Sequence, residues 1–283
     1  MTKPNYDSSF IAELTALRRD LHRVPELSSE ETETAKRMAG WLADCEADEV
    51  ITGLGGTGVA GVFDSGVPGP AILFRCELDA LPIHETGIPN WRSKIAGKGH
   101  MCGHDGHMTI LCGLARRLQA VRPKRGRVIL LFQPAEETGG GAEVMVDQGV
   151  LDRFDISQVY ALHNAPGFEK GGFYTSPGAM MAAVDEFHIH IKGLGGHGAT
   201  PHLTRDPVVA ACGIATALQT IVSRNHYAQD DLVVSVTQIH TGTTDNVIPE
   251  TAYINGTVRS FDKEVQAMVI RRMEQIVAGQ AAS

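Results

Sequence analysis

His100-Met101-Cys102-Gly103-His104-Asp105-Gly106-His107 packs five potential metal ligands into eight residues. Cys102 and His104, at i and i+2, share one face of an extended segment, so a loop can turn both toward one ion. A second signal is Gln133-Pro134-Ala135-Glu136-Glu137, where two adjacent carboxylates follow the apolar run Val128–Phe132. His163 follows the strand-like run Val159–Leu162 in the same way, and Asp79 lies just beyond the strand pattern ending at Arg75. Taken singly, each has an ordinary explanation: a lone histidine is more often a satisfied polar group than a ligand, and a glutamate pair is usually a solvated face. Together, four such groups in successive loops point to one metal-binding edge, because ligand sites in open α/β sheets form outside the carboxyl ends of the strands. The paired glutamates fit hydrolysis. A carboxylate bound to a metal cannot freely take a proton, so an unbound neighbour serves as general base toward a water whose pKa the metal lowers to about 7. Two ions about 3.5–4 Å apart could share that water.

The elements that must position these residues follow from periodicity. Ile11, Leu14, Leu17 and Leu21 recur at helical spacing, and Ser28 followed by Glu31 reads as a capping box for a second helix through Leu42. Strand signals at Val59–Phe63, Ala71–Arg75, Val128–Phe132 and Gln158–Leu162 interleave with helical patterns at Met108–Ala120 and Glu143–Gly149. Such alternation predicts an α/β layer. After Met181 the character changes: Phe187–Lys192 alternates strictly, followed by a helix Asp206–Ser223, strands Leu232–Ile239 and Thr251–Ser260, and a helix Lys263–Gly279. The expected boundaries are therefore 1–181 and 182–283.

The net charge of −8, from 25 basic and 33 acidic residues, argues against a phosphate-backbone binder. Five cysteines with no CxxC pair and a polar N-terminus without a leader signal predict a cytoplasmic chain with reduced thiols. Pro207–Ser223, the longest uncharged stretch, carries Thr216, Gln219 and Thr220 and reads as a buried helix, so no membrane span is expected. Two glycine-rich runs, Gly53–Gly58 and Gly193–Gly198, match G-x-G-x-x-G. The dinucleotide reading requires a helix directly after the last glycine to hold the pyrophosphate. A strand pattern follows the first run and Pro201 interrupts after the second, so the nicotinamide-oxidoreductase reading fails on context.

Several stretches resemble the hippurate hydrolase, N-acyl-amino-acid amidohydrolase and indole-acetyl-amino-acid hydrolase group of metallopeptidases. They are Leu17–Glu26 (LRRDLHRVPE), Leu78–Ile83 (LDALPI), His100–His107, Phe132–Glu137 (FQPAEE), Gly195–Ala199 (GGHGA) and Asn246–Pro249 (NVIP). The resemblance implies a zinc-peptidase-like catalytic domain with a mixed sheet flanked by helices, plus a smaller α+β, ferredoxin-like lid and dimerisation domain. It implies Cys102, His104, Glu137 and His163 as metal ligands, Glu136 as general base, and Asp79 as the aspartate that orients the site. His197 would stabilise the oxyanion, and Asn246 and Arg259 would hold the substrate carboxylate. The cofactors would be divalent ions, two per complete site, of zinc, manganese, nickel or cobalt. The substrate would be a small N-acyl amino acid, and the partner a second copy through the lid.

Three departures stand out. The family's usual Arg-Ala-Asp-Met-Asp reads Arg75-Cys76-Glu77-Leu78-Asp79, Met101 replaces a small residue, and the sequence stops at Ser283 where the resemblance implies roughly a hundred further residues at ordinary domain sizes. On that reading the lid and catalytic domain are C-terminally truncated, a further histidine ligand is missing, and fewer than two metals are held tightly. The rival expectations are a dipeptidase or aminoacylase on the same site, and a non-catalytic relative.

Overall fold

The structure, a computed structural model, describes residues 8–283; the polar residues 1–7, part of the N-terminus read above for a leader, lie outside the described residues. The chain forms two compact units, one ending at Glu169 and the other Lys170–Ser283, so the units part ahead of the change in strand character at Met181.

In the first unit, the leucine spacing near the N-terminus produces α1 (Ser8–Arg23), which buries Leu17, Leu21 and His22. The next helix, α2 (Thr32–Asp44), is not opened by the anticipated capping box. Ser28 instead donates to Asp79 Oδ2 at 2.7 Å, and Glu31 is buried among loop partners. The helix's free amides at Glu33 and Thr34 go to the two carboxylate oxygens of Glu26, at 3.2 and 2.7 Å. The Pro25-Glu26 end of the first motif is thus a helix cap reached from outside.

Five strands follow: β1 (Glu49–Leu54), β2 (Gly58–Asp64), β3 (Ala71–Glu77), β4 (Arg127–Gln133) and β5 (Ile156–Ala161). Between them lie α3 (His104–Ala120), α4 (Gly141–Asp147) and α5 (Val150–Phe154). The sheet order is β1-β2-β4-β3-β5, with β1, β2 and β4 antiparallel to their neighbours in turn and β3 parallel to both β4 and β5. The sheet is therefore mixed, as the resemblance implies. One core, with Leu21, Met38, Phe63, Met108 and Phe132, packs α1, α2 and α3 on the sheet. A second, with Leu73, Ile129, Met145 and Phe154, covers the other face. The first glycine run forms the β1–β2 hairpin and leads into β2, so no helix N-terminus exists there.

The second unit has β6 (Ala183–Lys192), the short β7 (Gly196–His197), α6 (Pro207–Thr220), β8 (Leu232–Thr241), the short β9 (Val247–Ile248), β10 (Thr251–Ser260) and α7 (Lys263–Ala282). β6, β10 and β8 form an antiparallel sheet in that order, and β7 pairs with β9. Asp206 caps α6 by accepting from the amides of Val208 and Val209. Together with the π turn Ile221–Asn225, this helix is long and apolar enough to cross a membrane by length and composition. It sets Ala211, Ile214, Leu218 and Ile221 in one core with Val234, Ala252, Ile254 and Val258 of the sheet and Val269 of α7.

Candidate metal centre

β3, β4 and β5 run parallel to one another, so their carboxyl ends lie on one side. Asp79 follows β3, the Glu136–Glu137 turn follows β4, and His163 follows β5. Cys102 and His104 reach the same edge differently: His104 is the first residue of α3 rather than part of a loop, and Gly103 precedes it with φ +96°. Gly103 permits the turn; an added Cβ would collide with the Asn164 side chain.

The buried His104 sends Nδ1–H to the Asp79 backbone oxygen at 2.8 Å. A carbonyl only accepts, so the proton is fixed on Nδ1 and the Nε2 lone pair faces the edge. Glu137 Oε1 and Glu136 Oε2 lie 3.7 and 3.8 Å from that nitrogen. His163 repeats the device: Nδ1–H goes to the Asn164 carbonyl at 2.8 Å, and Nε2 lies 3.4 Å from Cys102 Sγ. Asp79 is fully buried, and its Oδ2 accepts from Ser28 Oγ and from the Glu137 backbone amide at 2.9 Å. The paired carboxylates hang on a tightly fixed turn. Ala135 holds φ +49°, its amide donates 2.8 Å to the buried Glu31, and Gly141 leaves no room for a Cβ against the Pro134 carbonyl.

The donor set fits a divalent cation. Ligand atoms of Cys102, His104 and His163 lie within 4.8 Å of one another, as do those of His104, Glu136 and Glu137. His104 Nε2 and Glu137 Oε1 are buried without a hydrogen-bond partner, a costly arrangement for polar atoms that a cation beside them would relieve. The local charge agrees. Burial, then the Glu137 carboxylate, pushes the Cys102 thiol up to about 12, and burial also raises Glu137 despite the nearby His104. Burial likewise opposes ionisation of Asp79, yet hydrogen bonds from His104, the Glu137 amide and Ser28 hold it below its ordinary value. A soft thiolate, imidazoles and carboxylates together suit zinc and several first-row divalent ions.

Six of the nine residues singled out from sequence (Asp79, Cys102, His104, Glu136, Glu137 and His163) therefore meet at one edge. The other three belong to the second unit. His197 lies opposite Val247 in the β7–β9 ribbon, and the Gly198 amide donates 2.8 Å to the Asn246 carbonyl, so His197 and Asn246 are neighbours. Arg259 is not with them: it lies toward the far end of β10, opposite Val184 and Val233, and one guanidinium nitrogen donates to the Val258 carbonyl at 3.0 Å. Sequence reasoning read Ser28 and Glu31 only as a capping box and gave Asn164 no role. It noted Glu77 only as a departure and His107 only as one more potential ligand.

A model of Peptidase family M20/M25/M40 matches residues 73–269. N-acetylcysteine deacetylase of Bacillus subtilis is 40% identical over 278 residues, covering 98% of this chain and 72% of the relative. N-acetyldiaminopimelate deacetylase of Geobacillus thermodenitrificans is 38% identical over 270 residues, covering 95% and 71%. Among solved structures, a dinuclear metal-binding peptidase of the M20 family from Bacillus subtilis superposes with a TM-score of 0.79 at 37% identity, covering 98% of this chain and 71% of the other.

Proposed function

The chain belongs to peptidase family M20/M25/M40 and is a metal-dependent amidohydrolase, and on that footing we propose that it hydrolyses the amide bond of small N-acyl amino acids. The observation that carries this is the pair of adjacent carboxylates in unequal settings beside one imidazole: Glu137 with a buried, unpartnered oxygen and Glu136 half-exposed.

Cys102, His104, Glu137 and His163 would hold the metal. When bound, divalent ions supply Lewis acidity that polarises the scissile carbonyl and acidifies the attacking water. Glu136 takes the proton as the water oxygen attacks the amide carbon, then delivers it to the leaving nitrogen as the C–N bond breaks. Asp79 locks the edge, binding the Glu137 amide through its side chain and His104 Nδ1–H through its carbonyl. His197 is assigned as hydrogen-bond donor to the oxyanion. Its Nδ1 accepts from the Ala199 amide at 3.0 Å, which leaves the proton on Nε2 of the neutral ring. Asn246 is assigned to the substrate carboxylate; Arg259, given the same role by the resemblance, lies too far along β10 to share that carboxylate with Asn246 of the same chain. With these roles go a lid and homodimer contact in the second unit, supported by the family resemblance, and a cytoplasmic location, supported by five cysteines that are all free.

The acyl group is the finer question. Hippurate is the substrate that the sequence motifs suggest, whereas the deacetylase relatives favour an acetyl group. The test is release of free amino acid from hippurate and from N-acetylcysteine, with and without a chelator. Chelator-sensitive cleavage of either supports the proposal, and the preferred one names the acyl pocket. Absence of cleavage of any N-acyl amino acid by metal-loaded protein would overturn it.

A further inference from the structure

Beneath the proposed ligands runs a row of polar side chains that the reaction itself does not use. Gln133, at the end of β4, accepts from Arg75 Nε at 2.8 Å, and Arg75 pairs through Nη1 with Glu77 at the end of β3. Glu77 is buried and accepts from His107 Nδ1 at 2.7 Å. On the far side of the ring, His107 Nε2 accepts from the Asn164 backbone N–H at 3.0 Å, and the Asn164 side-chain amide lies 2.6 Å from the same nitrogen. Asn164 directly follows His163, and its side chain lies against Gly103, between Cys102 and His104. The rings of His107 and His163 meet edge-on, 4.7 Å between centroids. The row therefore crosses from β4 through β3 and α3 to the turn after β5.

We propose that His107 is a positioning residue: it fixes the His163 turn against the Cys102–His104 segment and so sets the metal affinity of the edge. This rests on the metal reading above. The residue types suit the role. Glu77 orients the ring through Nδ1, and Arg75 balances the buried carboxylate, so Nε2 is presented to Asn164 in one orientation. The Glu77 side chain, at the last residue of β3, reaches across to His107 on α3. His107 also forms a group with Glu77 and His104 whose ligand atoms lie within 4.8 Å, which makes direct coordination the rival role. Its Nδ1 carries the proton given to Glu77, however, and its one lone pair, on Nε2, accepts the Asn164 backbone N–H, which leaves none free for an ion.

The experiment compares wild type, His107→Ala, His107→Gln and His104→Ala, each stripped and titrated with Zn²⁺ against a chromophoric chelator. Each is also loaded with Co²⁺ for absorption spectra, and its metal-free unfolding midpoint is measured. Loss of an outer partner typically costs about 10–100-fold in metal affinity, so His107→Ala should weaken Zn²⁺ by that factor with its stoichiometry kept. The Co²⁺ ligand-field bands should shift while the Cys102 thiolate charge-transfer band persists. His107→Gln, whose amide can still donate to Glu77, should recover most of the loss. Wild-type affinity in His107→Ala overturns the proposal. So does loss of one metal equivalent in both His107 variants, which makes the residue a ligand. So, too, does a fall that only follows the unfolding midpoint without rescue by Gln, which makes its role one of folding. If His104→Ala binds Zn²⁺ as tightly as wild type, it is the metal reading that has failed.

Discussion

Glu136 and Glu137 are separated by one peptide unit, and their nearest oxygens stand almost equally far from His104 Nε2, at 3.8 and 3.7 Å. Distance alone cannot assign their roles, but their surroundings can. Glu137 has its backbone amide anchored on Asp79 and one carboxylate oxygen buried without a partner, whereas the Glu136 side chain is 39% exposed. Replacing Glu136 by Gln removes a proton acceptor and a charge but no ligand. The two carboxylates lie within 4.8 Å of each other. At about 4 Å in a water-like medium, unit charges interact by about 1 kcal/mol. A divalent ion doubles that to about 2 kcal/mol, so losing the Glu136 charge should change metal affinity by no more than roughly thirtyfold. Losing the general base should cut kcat by about 10²–10⁴, or roughly 3–5 kcal/mol of transition-state stabilisation. Glu137→Gln should instead lose metal and turnover together. The assay is metal content after gel filtration beside initial rates on an N-acyl amino acid at saturating metal. If Glu136→Gln loses its metal while Glu137→Gln keeps it, the assignment is reversed; full activity in Glu136→Gln removes the base from that side chain altogether.

Three other changes test the supporting frame. Gly103→Ala places a methyl group on the Asn164 amide at φ +96°, so it should cost about 1–3 kcal/mol in the urea-unfolding free energy and weaken Zn²⁺ binding as well. Unchanged metal affinity would show that the Gly103–Asn164 contact is incidental. His100 is buried, neither ring nitrogen has a partner, and burial holds its imidazole down at about 4. The unfolded chain then binds the extra proton first, so this contribution to stability is complete above about pH 6.5 and is lost as pH falls toward 4. The difference is about 3 kcal/mol. His100→Leu should flatten that part of the stability–pH curve measured by urea titration between pH 7 and 4.5, and an unaltered slope would refute it. Ser28→Ala removes one of the two hydrogen bonds to Asp79 Oδ2 and should destabilise the protein by about 1–3 kcal/mol, with a matching loss of metal affinity, checked by the same titrations.

What could be read from the sequence, and what could not, divides by how far a partner lies along the chain. Cys102, His104 and the glutamate pair sit in short motifs whose spacing already limits their geometry, and the reasoning from strand ends put Asp79, Glu137 and His163 just after three strands, which in the structure are β3, β4 and β5. It worked because β3, β4 and β5 are parallel to one another, although the sheet as a whole is mixed. The same reasoning treated His104 as a loop residue, yet it opens α3, and that helical start is what brings His107 one turn further along the same face. The residues that hold the edge rigid were harder to find because their partners are distant: Ser28 meets Asp79 51 positions away, and Glu31 meets Ala135 104 positions away. Ser28 and Glu31 also match a local motif, the capping box, which offered a sufficient explanation for both and hid their other use. The tertiary partners won because a buried aspartate and a turn with a non-glycine residue at positive φ need those hydrogen bonds more than a helix end that Glu26 can serve. Where a local motif and a buried carboxylate compete for the same side chain, the site is better sought with the carboxylate.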